Sequence, residues 1–165
     1  FFKQVDIKGE FLKRWPVYME AIECNCFINV PIAKHHSASR LSMALKNHMG
    51  IIGGARGDWH RSLDVALAEF CAYIKPYVKL TVLDAYRIMV RNGPTGGSLA
   101  DVQIAKKCVA GVDQVAVDAY GATLFKTPGG APMKPTDLGY LVKAKEMGLG
   151  EIDLQKLTIK TVEVT

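Results

Sequence analysis

Short continuous apolar runs alternate along this chain with longer stretches in which apolar residues return every three or four positions. Cys26-Phe27-Ile28-Asn29-Val30 is β-rich and stops at Pro31. Leu41, Ala44, Leu45, His48 and Ile52 then share one face of a helix predicted over 39–49, with Ser39 at its N-cap. Leu63, Leu67, Phe70, Cys71 and Ile74 form the stripe of a second helix, predicted over 58–75 and stopped by Pro76. Residues 79–84 read as a strand, and Asn92-Gly93-Pro94-Thr95-Gly96-Gly97-Ser98 as a loop. The pattern continues with a strand over 106–111, a helix capped by Asp113 and running to about Phe125, and a proline- and glycine-rich loop over 127–135. A helix over 137–147, closed by Gly148, and a last strand over 157–164 complete it. This order predicts one α/β domain spanning 1–165, with a mostly parallel sheet and helices on both faces.

In such sheets, ligands bind outside the carboxyl ends of the strands. Lys34, His35 and His36 follow the first predicted strand, Asp84 ends the second and Asp113 the third. If those strands are parallel neighbours, one sheet edge gathers imidazoles, a lysine and carboxylates, a set suited to metal-assisted or acid–base chemistry. All four histidines, His35, His36, His48 and His60, fall inside a span that also holds Lys34, Lys46 and several arginines. Imidazole is both a metal ligand and a proton carrier near neutral pH, so this clustering points to a site for a metal, an anion, or both.

Individual positions differ in what they suggest. His48 lies on the apolar helical face and reads as a packed, hydrogen-bonded residue, which leaves His35, His36 and His60 as candidate metal ligands. Lys46, on a polar face, is either solvated, or a grip for an anionic substrate, or a carrier of a covalent cofactor. Gly50-Ile51-Ile52-Gly53-Gly54-Ala55-Arg56-Gly57-Asp58 leads into a helix start and permits close backbone approach to an anion, although it matches neither phosphate-loop pattern. Lys34, Asn47, Gly53 and Gly54 are thus candidate ligand- or cofactor-binding positions. Asp118, inside an otherwise apolar helix, is placed to reach back and orient a histidine or lysine. Lys46, Asp84 and Asp118 are the candidate catalytic residues.

Composition narrows the partners. A net charge of +5 favours acidic ligands, but the basic residues are spread along the chain without a long run, so nucleic acid is not indicated. No stretch approaches the roughly 20 uninterrupted apolar residues of a membrane helix, which predicts a soluble domain. Cys24, Cys26, Cys71 and Cys108 contain no CxxC pair. Cys24-Asn25-Cys26 would offer two thiols on one face of a strand, but buried packing is the commoner fate of free cysteine. The chain opens on Phe1-Phe2-Lys3 without a methionine or a signal-like run and reads as a piece of a longer protein.

Several of these segments also carry a family likeness. Phe27-Ile28-Asn29-Val30-Pro31-Ile32-Ala33-Lys34-His35-His36, Leu45-Lys46-Asn47-His48-Met49-Gly50, Trp59-His60, Val82-Leu83-Asp84-Ala85, Asn92-Gly93-Pro94 and Asp113-Gln114-Val115-Ala116-Val117-Asp118 together resemble the bacterial and archaeal domain-of-unknown-function family 362. Asp113-Gln114 departs from the family's usual Asp-Pro, and the doubled histidine gives two candidates for the family's single one. The resemblance implies an association with ferredoxin-type iron–sulfur modules, held in another part of the parent protein. It also implies either a cytoplasmic location or export by a twin-arginine signal outside these residues. More remotely, the order His36, Lys46, His60 is similar to that of the nickel-pincer lactate racemases, in which the lysine carries the cofactor and a histidine binds nickel. The sequence thus supports a metal- or cofactor-dependent enzyme domain acting on a small anionic substrate, an oxidoreductase or isomerase. Its alternative is a non-catalytic partner domain of an iron–sulfur electron-transfer or metal-delivery protein.

Overall fold

The computed structural model describes residues 1–163. Two strands, β1 (Phe2–Asp6) and β2 (Arg14–Tyr18), form an antiparallel hairpin apart from the main sheet. Its turn is held by a distant carboxylate. Glu69 accepts the backbone N–H groups of Glu10, Phe11 and Leu12 at 2.6, 3.1 and 2.7 Å, and a Cβ at Gly9 would overlap that carboxylate. After a single helical turn, α1 (Glu20–Glu23), come β3 (Phe27–Asn29), β4 (Ile32–His36), β5 (Arg40–Ser42) and the short helix α2 (Ala44–Asn47). Two 3₁₀ segments, His48–Ile51 and Arg56–Ser62, lead into α3 (Leu63–Ile74), followed by the long strand β6 (Val78–Met89). β7 (Val102–Gly111), α4 (Gln114–Ala122) and α5 (Gly139–Glu146) complete the elements.

The main sheet is mixed and five-stranded. β3 and β4 lie end to end along one side of β6, both parallel to it, whereas β5 pairs antiparallel with β4, and β7 antiparallel with the other side of β6. The parallel expectation therefore holds only for β3 and β4. On the inner face of β6, Thr81, Leu83, Ala85 and Ile88 are buried, and α4 closes on it so tightly that a Cβ at Gly121 would overlap Leu83 and Met43. The opposite face leaves Ile28, Ile32, Asp84, Tyr86 and Ile104 exposed, so helices cover one face rather than two. β6 runs well beyond the expected 79–84 because β4 and β7 pair along its second half.

Two further corrections bear on the site. The helix expected over 39–49 is replaced by β5, the four residues of α2 and a 3₁₀ turn. Arg40 has φ 63°, and pairing of His36 with Arg40 and Lys34 with Ser42 draws this segment into the sheet in spite of its helical periodicity. The strand expected over 157–164 does not form over 157–163, and Val164 lies outside the described residues. Residues 157–163 instead line, with β6, β7 and α4, a groove of about 1140 Å³. Among the described residues no helix is long and apolar enough to cross a membrane.

Candidate functional site

Lys34, His36, Ser42, Lys46, Asn47, Arg56, Gly57 and His60 line one cleft of about 410 Å³, with Pro94 of the loop after β6 on its rim. The β4–β5 hairpin supplies the first three, α2 the next two, and the 3₁₀ segment at Arg56–Ser62 the remainder. The histidine doublet is resolved by the hairpin. His36 faces the cleft, whereas the His35 ring accepts the N–H of Gly93 at 3.1 Å and anchors the loop that carries Pro94.

The two cleft imidazoles are held in different ways. Nδ1 of His36 accepts the N–H groups of Ala38 and Ser39 at 3.1 and 3.3 Å. Burial, then the positive charges of Lys46, His60, Lys34 and His35, push this ring down to about 4, so it is neutral at physiological pH. Its proton then resides on Nε2. His60 Nδ1 lies 3.2 Å from the carbonyl oxygen of Gly57, which can only accept, so that nitrogen donates. The rings stack at 6.3 Å between centroids and 24° between planes. Asp58, two residues before His60, lies inside the 3₁₀ segment and pairs with Arg61 at 3.2 Å.

Three cations, Lys34, Lys46 and Arg56, line the cleft. Lys46 is half-buried with Nζ 3.0 Å from Met49 Sδ, and burial followed by the charges of Lys34 and Arg56 lowers its pKa. Arg56 donates to the Met49 carbonyl at 3.5 Å. Among the described residues, no carboxylate forms an ion pair with Lys34, Lys46 or Arg56. Arg56 was not singled out by sequence, although its place beside Gly57 in the basic, histidine-rich span was the available signal.

Asp118 is fully buried and lies behind the cleft. Its carboxylate accepts the N–H groups of Ala44 and Leu45 at 2.6 and 3.0 Å, capping α2 and thereby setting the backbone that carries Lys46 and Asn47. Burial raises it to about 7 against the opposing pull of these two hydrogen bonds. Asn47 donates to Asn29 Oδ1 at 2.8 Å, while Asn29 Nδ2 donates to the Ala44 carbonyl at 3.1 Å, so α2 is tied to β3 as well. His48 is buried and sits 2.5 Å from Gln114 Oε1, a packed and hydrogen-bonded histidine.

Four expected contributors stand elsewhere. Asp84 is exposed in the middle of β6 and lines the groove beside β7, because the strand continues past it rather than ending there. Gly53 and Gly54 hold the first hairpin. Gly53 donates to the Pro16 carbonyl at 2.8 Å and accepts from the Trp15 indole at 3.0 Å, and Gly54 has φ 66° against Pro16. Asp113 caps α4 through the N–H groups of Val115 and Ala116. Cys24, Cys26 and Cys108 are exposed and Cys71 is buried, and among the described residues no three His, Cys, Asp or Glu side chains converge as a metal-binding group.

No curated protein and no solved structure matches the chain. The family described as a domain of unknown function, DUF362, matches residues 1–123, a stretch that runs from the first hairpin through the whole cleft and the Asp118 cap. The chain belongs to the DUF362 family.

Proposed function

We propose that the cleft binds a small anionic ligand and presents it to the two histidines for acid–base handling. The observation that carries this reading is the convergence of Lys34, Lys46 and Arg56, without a carboxylate partner among the described residues, on a cleft of about 410 Å³. Such a cleft is of small-molecule size, and its three cations attract and orient a carboxylate or phosphate. Lys46 supplies a partly desolvated ammonium, Arg56 a guanidinium fork, and His36 an Nε2–H.

The same hydrogen bonds favour an anion over a metal ion shared by His36 and His60. A neutral His36 whose Nδ1 accepts two backbone N–H groups has no lone pair left on Nε2 for a metal. His35 is turned to the Gly93 loop. His60, with its Nδ1 donating to Gly57, has only Nε2 to offer a metal, so His36 and His60 together are a poor fit to a two-histidine metal centre.

Isothermal titration with phosphate, malonate and acetate tests the proposal. Lys46→Met keeps the apolar stem while removing the charge and should weaken binding by about 10-fold or more, as expected for loss of a charged hydrogen-bond partner. Arg56→Gln should weaken it as well. Anion binding of wild-type strength in both variants would remove the cleft from the reading.

A further inference from the structure

We infer that the cleft recognises a phosphoryl dianion, the terminal group of a phosphate monoester or the free ion, with Lys34, Lys46 and Arg56 neutralising it and His36 and Ser42 donating to its oxygens. The inference rests on the anion-binding reading above and names its ligand class. A second observation carries it. His36 and Ser42 are each only 8% exposed, yet both line the cleft with hydrogen-bonding capacity unused. The His36 ring accepts the N–H groups of Ala38 and Ser39 on Nδ1, so its proton stands on Nε2, without an acceptor among the described residues. The Ser42 hydroxyl, on the strand paired with that of His36, likewise has no hydrogen-bond partner among the described residues. Donors buried this far are costly unless a ligand or water satisfies them.

Charge and donor number then identify the group. Three cations line the cleft and, among the described residues, no Asp or Glu does, so a monoanion leaves two positive charges unbalanced where a dianion leaves one. Burial, then the charges of Lys34 and Arg56, lower the pKa of Lys46, and a second negative charge on the ligand relieves that repulsion. The five donors come from four separate elements, β4, β5, α2 and the Arg56–Ser62 segment. A carboxylate offers them two oxygens in one plane, whereas the three terminal oxygens of a tetrahedral phosphoryl group accept from several directions. Met49 and Pro94 give the cleft apolar surface for an ester substituent.

Isothermal titration at about pH 7.5 and constant ionic strength compares methyl phosphate with methyl sulfate, which shares its tetrahedral shape and three terminal oxygens but carries one charge fewer. A phosphate monoester is mainly dianionic at this pH, since its second pKa is about 6. Malonate adds a dianion built from two planar groups. Methyl phosphate should bind about 10-fold more tightly than either, as expected for one further charged hydrogen-bonding interaction. Ser42→Ala removes no internal hydrogen bond and should weaken methyl phosphate binding about 10-fold. Tighter binding of methyl phosphate than of inorganic phosphate assigns the cleft to an ester and the reverse order to the free ion, either order upholding the phosphoryl assignment. Methyl sulfate or malonate bound as tightly as methyl phosphate, or wild-type affinity in Ser42→Ala, would overturn this inference alone if anion binding still depends on Lys46. Absence of Lys46-dependent binding of any of these anions would reject both readings.

Discussion

Removing the Asp118 carboxylate should destabilise the fold and loosen the cleft together. Asp118 is fully buried and is the acceptor for the first two N–H groups of α2, at 2.6 and 3.0 Å. Asp118→Ala leaves two buried backbone donors without partners, each costing about 1–3 kcal/mol, while relieving the cost of burying a carboxyl group. A net loss of about 3 kcal/mol is expected. Asp118→Asn keeps one acceptor but sets its NH₂ against the other N–H, and should lose about 1–2 kcal/mol. α2 has only four residues, far below the length at which a helix holds itself, so its geometry depends on this cap and on the Asn29 hydrogen bonds. Lys46 and Asn47 then lose their fixed positions, and the folded variants should bind phosphate several-fold more weakly. Urea denaturation followed by the fluorescence of Trp59, buried against Phe70, gives the stability, and titration of the folded variants gives the affinity. Asp118→Ala within about 0.5 kcal/mol of the wild type would refute the capping role.

Other outcomes follow from the same structure. Burial lowers His48 to about 4, as burial and neighbouring cations lower His36, so the unfolded chain binds more protons than the folded one between about 4 and the ordinary 6.5. Their stabilising effect is complete above that window and is lost as pH falls through it, at up to about 1.4 kcal/mol per pH unit for each histidine. Asp118, raised to about 7 from 3.8, opposes them as pH rises, so Asp118→Asn should steepen the increase in stability between pH 4.5 and 6.5 measured by urea denaturation. A flat or falling stability in that variant would contradict the protonation states assigned to the histidines. Asp84→Asn should change anion affinity by less than about 2-fold, since Asp84 stands in the groove beside β7; a larger change by titration would link the two regions.

The parts of the fold that the chain announced are those whose signals are local. Leu63, Leu67, Phe70 and Ile74 make a stripe wide enough to specify α3, Pro76 stops it, and Asp113 caps α4 with its own side chain. The first hairpin was invisible because its turn is organised by Glu69, 57 to 59 residues away, rather than by a turn motif. The helical spacing of Leu41, Ala44, Leu45 and His48 was overridden by the pairing of β5 with β4, which no local propensity encodes. The clustering of His36, Lys46 and His60 did carry into space, and Asp118 does reach the helix bearing Lys46. Asp84 failed as a neighbour because β6 extends past it, and Arg56 escaped notice because an arginine in a glycine-rich segment has no periodicity to mark it.

The most direct test of the proposal that the cleft binds an anion is a titration of ¹⁵N-labelled protein with phosphate, followed residue by residue in ¹H–¹⁵N spectra. Saturable shifts should centre on Lys34, His36, Lys46, Asn47, Arg56, Gly57 and His60, and should be lost in Lys46→Met. Shifts that centre instead on β7 and residues 157–163, or that spread over the surface without saturating, would contradict the assignment of this cleft as the site.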